Sequence, residues 1–300
     1  MEEEMLSSIL KVQRYKILLI LASLTIVFTI IGVSVVPAQA GNLQWRWFSG
    51  YQSSGPVLGA LPAVNGGIPG LSGFRFNFKS GDHHFRSLVA TFDSPGVVGC
   101  CSGLWYENLS DYNNDDAYWY DIRWQELPSD VIYGSNGATI PMDGATHSIY
   151  LGENNLRTSK PVLTGFKIAG SNGDSHLEGI QLHVDGQSNT FPTQVYVTVQ
   201  LNGGGSEKSV FVSYALVPLR HIARSNWVGG TSSGSERSGT LPDNAGNPVL
   251  TGFKLKFTNG AHHIDRLGVE VWPNSWRATF EDHNHDDPYE YGMTYVDLLD

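Results

Sequence analysis

The sequence predicts an all-β protein of three related units behind an apolar export segment, and three observations lead there. One block recurs as "LSGFRFNFKSGDHHFRSLVATF", "LTGFKIAGSNGDSHLEGIQLHV" and "LTGFKLKFTNGAHHIDRLGVEV". Within each block apolar residues alternate with period two, as on a half-buried strand. The connectors are rich in Gly, Ser, Pro and Asn, and no stretch after residue 40 shows a capped helical period.

Residues 1–40 come first. Lys11, Arg14 and Lys16 precede the apolar run "ILLILASLTIVFTIIGVSVV", and Ala38-Gln39-Ala40 fits a small-residue cleavage site. The run is longer than the usual core of a signal peptide, roughly 7 to 15 residues, and long enough to span a bilayer. Residues 1–40 are therefore read as a signal peptide or a single-pass anchor helix. Either way the basic flank keeps the N-terminus cytoplasmic and sends the body outside, secreted or membrane-anchored.

The net charge of −10 argues against nucleic acid, which needs basic surface. It suits solubility, cations or a neutral polar ligand. Cys100 and Cys101 are adjacent, so no long-range disulfide framework is available; a strained vicinal disulfide and two loop thiols both remain open.

The repeats are taken as residues 41–130, 131–219 and 220–300. Phe74, Phe166 and Phe253 lie 92 and 87 residues apart, a spacing suited to a small β-domain. Phe74, Phe76 and Phe78 share one strand face, as do Phe166 with Ile168, and Phe253, Leu255 and Phe257. A second strand follows each shared histidine, carrying Leu88, Ala90 and Phe92, then Ile180, Leu182 and Val184, then Leu267, Val269 and Val271. A last strand holds Tyr118, Tyr120, Ile122 and Trp124; Val210, Val212 and Tyr214; and Tyr289, Tyr291, Met293 and Tyr295. Two arrangements fit: tandem small antiparallel sandwich-like modules, which are the expectation, and one pseudo-threefold body with a shared core.

An acidic phrase precedes the last strand twice. It reads Asp111-Tyr112-Asn113-Asn114-Asp115-Asp116 and Asp282-His283-Asn284-His285-Asp286-Asp287, while the second copy has "LNGGGSEKS" there. The fold unit therefore forms without the acids. Alternating Asp-x-Asn-x-Asp oxygens suit a calcium ion, but the sixth-position Gly and downstream Glu of an EF-hand are missing. Asp111, Asn113, Asp115, Asp116, Asp282, Asn284, Asp286 and Asp287 are the candidate Ca2+ ligands, against a solvated turn whose Asn and Asp side chains bond their own backbone.

His84, His176 and His263 recur in all three blocks, and a structural role at the turn is the expectation for them. In the third copy His262, His283 and His285 form a weaker candidate set for zinc, copper or nickel. Gly230-Thr231-Ser232-Ser233-Gly234 matches the nucleophile-elbow pattern but lies in a Ser/Gly-rich connector. Among eight tryptophans, Trp105 and Trp119 stand nearest the acidic phrase and are the candidate stacking platform for a sugar ring.

These readings converge on an exported, non-catalytic binding protein, calcium-assisted, for a glycan or a cell-surface protein. The competing readings are a structural or adhesive surface repeat and a metal-dependent hydrolase centred on the third copy. Contact with a membrane is expected only through residues 1–40.

Overall fold

The computed structural model describes residues 43 and 45–299, apart from the connecting segments 61–68, 80–83, 93–103, 112–116, 155–157, 171–175, 188–192, 206, 243–245, 260–262 and 284–286. The proposed leader and both cysteines lie outside the described residues. Among the described residues no helix is long and apolar enough to cross a membrane.

The described chain forms eighteen β-strands and one 3-10 turn, Leu219–His221. From its first third come β1 (Trp45–Gln52), β2 (Val57–Ala60), β3 (Pro69–Phe78), β4 (Phe85–Thr91), β5 (Leu104–Asp111) and β6 (Tyr118–Glu126). The middle third supplies β7 (Ile132–Ile140), β8 (Asp143–Asn154), β9 (Ser159–Ala169), β10 (His176–Gln187), β11 (Thr193–Gly204) and β12 (Lys208–Pro218). In the last third are β13 (Ile222–Ser232), β14 (Glu236–Thr240), β15 (Pro248–Phe257), β16 (Ile264–Trp272), β17 (Ser275–Asp282) and β18 (Tyr289–Leu298).

These strands build three six-stranded antiparallel sheets in the orders β1-β6-β3-β16-β17-β14, β2-β5-β4-β9-β12-β7 and β13-β18-β15-β10-β11-β8. Each sheet takes three strands from one third of the chain and three from another. This corrects the expectation of tandem modules, because no third of the chain closes a sheet of its own. The strands on either side of each shared histidine, β3 and β4, β9 and β10, and β15 and β16, go to different sheets.

The three junctions share one register. Phe74 lies opposite Val269, Phe166 opposite Ala90, and Phe253 opposite Leu182. The glycine before each of these phenylalanines explains the repeated "GF". A Cβ on Gly73 would stand 2.6 Å from Glu270 Cα, one on Gly165 2.5 Å from Thr91 Cα, and one on Gly252 2.7 Å from the Leu182 carbonyl oxygen. Only a residue without a side chain lets the neighbouring strand approach this closely. A register shift at Ser72, Thr164 and Thr251 precedes each glycine and bends the strand at the junction.

The inward faces of all three sheets close on one core. Phe74, Phe166 and Phe253 are fully buried or nearly so, and their rings meet pairwise at 4.9, 5.0 and 5.2 Å between centroids. Aromatic rings at this spacing and tilt add to the stabilisation from burial alone. A smaller apolar cluster, including Leu127, Val162, Val249 and Val296, forms near the starts of β3, β9 and β15.

Gly203, the first glycine of the segment that replaces the acidic phrase in the middle third, has a structural cause. Gly203 has φ +145°, and a Cβ there would fall 1.7 Å from the His176 carbonyl oxygen. A Cβ on Gly204 beside it would meet nothing within 4 Å. Gly203→Ala is thus expected to lower the melting temperature by several degrees through backbone displacement at β10, with Gly204→Ala changing it much less, as read by calorimetry.

Candidate functional site

A surface cleft of about 510 Å³ opens on the outer face of the sheet that joins the first and last thirds. Its wall comes from β1, β3 and β6 on one side of the junction and β14, β16 and β17 on the other. Tyr51 and Trp119 are register partners on β1 and β6, so their side chains project from the same face. Their rings stand 5.2 Å apart, and they are 47% and 45% exposed, an unusual exposure for two large aromatic groups in contact.

Polar groups flank this aromatic pair. Arg75 on β3 donates from Nε to Asp121 Oδ2 at 3.0 Å and pairs with the same carboxylate through Nη2. Asn77 accepts from Arg266 Nε at 3.2 Å across the junction, and Glu236 reaches Arg75 at 3.9 Å. Burial alone would lower the Arg75 pKa; the charges of Glu270, Asp121 and Glu236 outweigh it, so the guanidinium stays charged. Further along the same face, the buried Glu270 bonds Arg123 and lies 3.6 Å from Arg277, and both guanidinium groups stack over Trp272. The arrangement offers a flat apolar surface with fixed hydrogen-bond donors and acceptors around it.

The exposed aromatic pair is not repeated at the corresponding positions of the other two sheets. By register, Trp119 corresponds to Ser209 on β12 and Glu290 on β18, and Tyr51 to Thr139 on β7 and Thr231 on β13. In the last third Glu290 is instead tied to Lys254.

Trp119 lines the cleft with its ring exposed. Trp105 does not: it is 7% exposed and stacks on Phe48 at 5.0 Å within the core. Its position on β5, opposite Gly59, turns the indole inward, which the alternation of the sequence alone does not fix. Among the acidic candidates, Asp111 ends β5 opposite Phe85, and Asp282 ends β17 opposite Ile264, with its side chain buried. Asp287 is partly buried just before β18, while Asn113, Asp115, Asp116, Asn284 and Asp286 lie outside the described residues.

Asp111, Gly203 and Asp282 occupy the same register position, opposite the residue that follows the shared histidine. Both acidic phrases therefore begin beside a histidine, and the His283 N–H donates to the His263 carbonyl at 2.9 Å. His283 itself is exposed, 4.0 Å from Asp265, and His262 and His285 lie outside the described residues. Ser232 sits at a strand end leading through a turn into another strand, and its hydroxyl donates to the Gly234 carbonyl at 2.9 Å. The strand-to-helix turn of a nucleophile elbow is not formed there.

The grouping that sequence reasoning missed is His84, His176 and His263. They come from three distant parts of the chain and stand with ring centroids 4.6, 4.7 and 4.9 Å apart, edge to face. Their presence in all three similar blocks is visible in the sequence. What made them converge was the sharing of strands between thirds, which tandem modules would have kept apart.

No known protein family matches this chain, and no curated protein matches it. Among solved structures, a protein from Eubacterium rectale aligns with 84% of this chain and 74% of its own, at 9% identity and a TM-score of 0.11. At that level the likeness carries no conclusion about this molecule.

Proposed function

We propose that this chain is an exported, non-catalytic binding protein that recognises carbohydrate, on a glycan or a cell-surface glycoprotein, in the cleft between Tyr51 and Trp119. The observation that carries the reading is the exposed aromatic pair set among Arg75, Asn77, Asp121 and Arg266. A sugar ring has one apolar face and a rim of hydroxyls, and such a site offers a partner for each. The −10 charge supports an uncharged polar ligand over nucleic acid. The apolar run before residue 41 supports delivery outside the cytoplasm, by a signal peptide or an anchor.

Calcium belongs to the same reading as an accessory ion held by the acidic phrases. Trp119 is the third residue after Asp116, so an ion bound by residues 111–116 would brace the strand that carries the platform. We also read the three thirds as copies of one β unit, of which the first has acquired the cleft.

A glycan array with and without chelator identifies the sugar, and titration calorimetry then compares variants. Trp119→Ala is expected to weaken binding about tenfold while leaving the melting temperature nearly unchanged, because the ring covers no core. Retained affinity in Trp119→Ala, or an array without any bound glycan, would sink the proposal. Loss of binding with chelator and its return with millimolar calcium would support the accessory ion, whereas indifference to chelator removes calcium from the reading.

A further inference from the structure

We propose that His84, His176 and His263 form a binding site for one divalent transition-metal ion, with zinc the best-suited, where the three thirds of the chain meet. Each histidine offers one ring nitrogen, and the three atoms lie within 4.8 Å of one another. The centre of a triangle of that size is at most about 2.8 Å from each corner. Zn–N bonds are about 2.0–2.1 Å, so ring rotations that move each nitrogen by less than about 1 Å would close the site.

The backbone holds the three rings in equivalent places. His84 and His263 immediately precede β4 and β16, and His176 opens β10. The residues that follow, Phe85, Leu177 and Ile264, are buried in the common core and anchor each strand start. All three Nδ1 atoms are shielded from solvent, and Nδ1 of His176 has no hydrogen-bond partner among the described residues. A polar atom so placed costs stability unless something occupies it. A metal ion bound through that nitrogen would satisfy it, and three imidazoles within reach of one point are the donor set of several zinc centres.

Donor chemistry selects the ion. Neutral imidazole nitrogen suits zinc, copper, nickel and iron, whereas calcium and magnesium demand oxygen. The site is thus distinct from the acidic phrases even though both lie at the same end of the strands. Three protein ligands leave a fourth position for water. The ion would link residues 92 and 87 positions apart, closing the body at the end opposite the Leu127–Val249 cluster. Because the three nitrogens converge only in the folded body, the metal stabilises that state by mass action.

The test uses the full chain stripped with chelator and titrated with zinc chloride, read by calorimetry, metal analysis and thermal melting. One ion per chain is expected, with a melting temperature about 5–10 °C higher at a hundredfold excess over Kd. Cobalt(II) loaded in place of zinc should give the intense visible absorption of a tetrahedral nitrogen site. His176→Ala should abolish both effects, and His283→Ala should leave them unchanged. The proposal is overturned by the absence of a stoichiometric ion, by the pale spectrum of an octahedral cobalt site, or by binding that survives His176→Ala but is lost in His283→Ala. Cobalt spectra of the unmutated chain keep the test valid should His176→Ala fail to fold.

Discussion

Phe166→Ala is expected to lower the unfolding free energy of the β body by about 3–5 kcal/mol, and to do so in a single transition. Phe166 is fully buried, and its ring touches Phe74 and Phe253, which belong to the other two thirds of the chain. Truncation removes the apolar transfer energy of the ring and leaves a cavity whose walls come from three sheets. These walls are held by ladder hydrogen bonds across the junctions and can collapse only by moving strands. The melting temperature should fall by roughly 10 °C for a body of this size.

The shape of the transition matters as much as its midpoint. Independent modules would lose stability only in the middle third, giving two transitions. Strand sharing makes the loss common to all three, since neither half of any sheet has its full set of partners alone. Differential scanning calorimetry of the unmutated chain and Phe166→Ala decides between them: a second, unshifted peak in the variant would refute the common core. Phe74→Ala and Phe253→Ala should behave alike, because the three positions share one register.

This common core was only half legible in the sequence. Period-two alternation located the strands around Phe74, Phe166 and Phe253, since side-chain burial on one face is a local property of the chain. Which strands pair is not local. Hairpin partners are normally neighbours in sequence, and that regularity favoured modules. The contrary signal was the repeated "GF": Gly73, Gly165 and Gly252 admit a neighbouring backbone at close range, and the strand they admit is from another third. The histidine triad was hidden for the same reason, its members being neighbours only through the junctions.

The cleft was legible in part. Trp119 was marked by its place beside the acidic phrase, but its partner Tyr51 is 68 positions earlier, and Arg266 comes from the far end of the chain. Trp105 was marked by the same adjacency and is core. A strand's inward face is set by the register with β2 and β4, which composition does not reveal.

Glu107→Gln is expected to stabilise the protein by about 3 kcal/mol at pH 7, with an effect that grows as pH rises. Glu107 lies on β5 with no exposed surface, and the Tyr118 hydroxyl, which also donates to the Gly55 carbonyl, is 3.3 Å from its Oε1. Burial pushes its pKa from the ordinary 4.5 up to about 9, opposed weakly by the Tyr118 contact. Near neutrality the folded protein therefore holds this carboxyl as the neutral acid, while the unfolded chain releases the proton. The unfolded state binds fewer protons between pH 4.5 and about 9, so stability falls with rising pH throughout that window. The contribution is fully present below pH 4.5 and lost as pH passes about 9, at about 1.4 kcal/mol per pH unit between. Glutamine keeps the size and the neutral hydrogen-bonding capacity without the proton. Urea unfolding of both proteins at pH 5, 7 and 9 should give curves that diverge steadily upward in pH, the Gln variant being the flatter. Parallel curves would mean that Glu107 is solvated or charged in the folded state, and the packing of Tyr118 against it would then have to be revised.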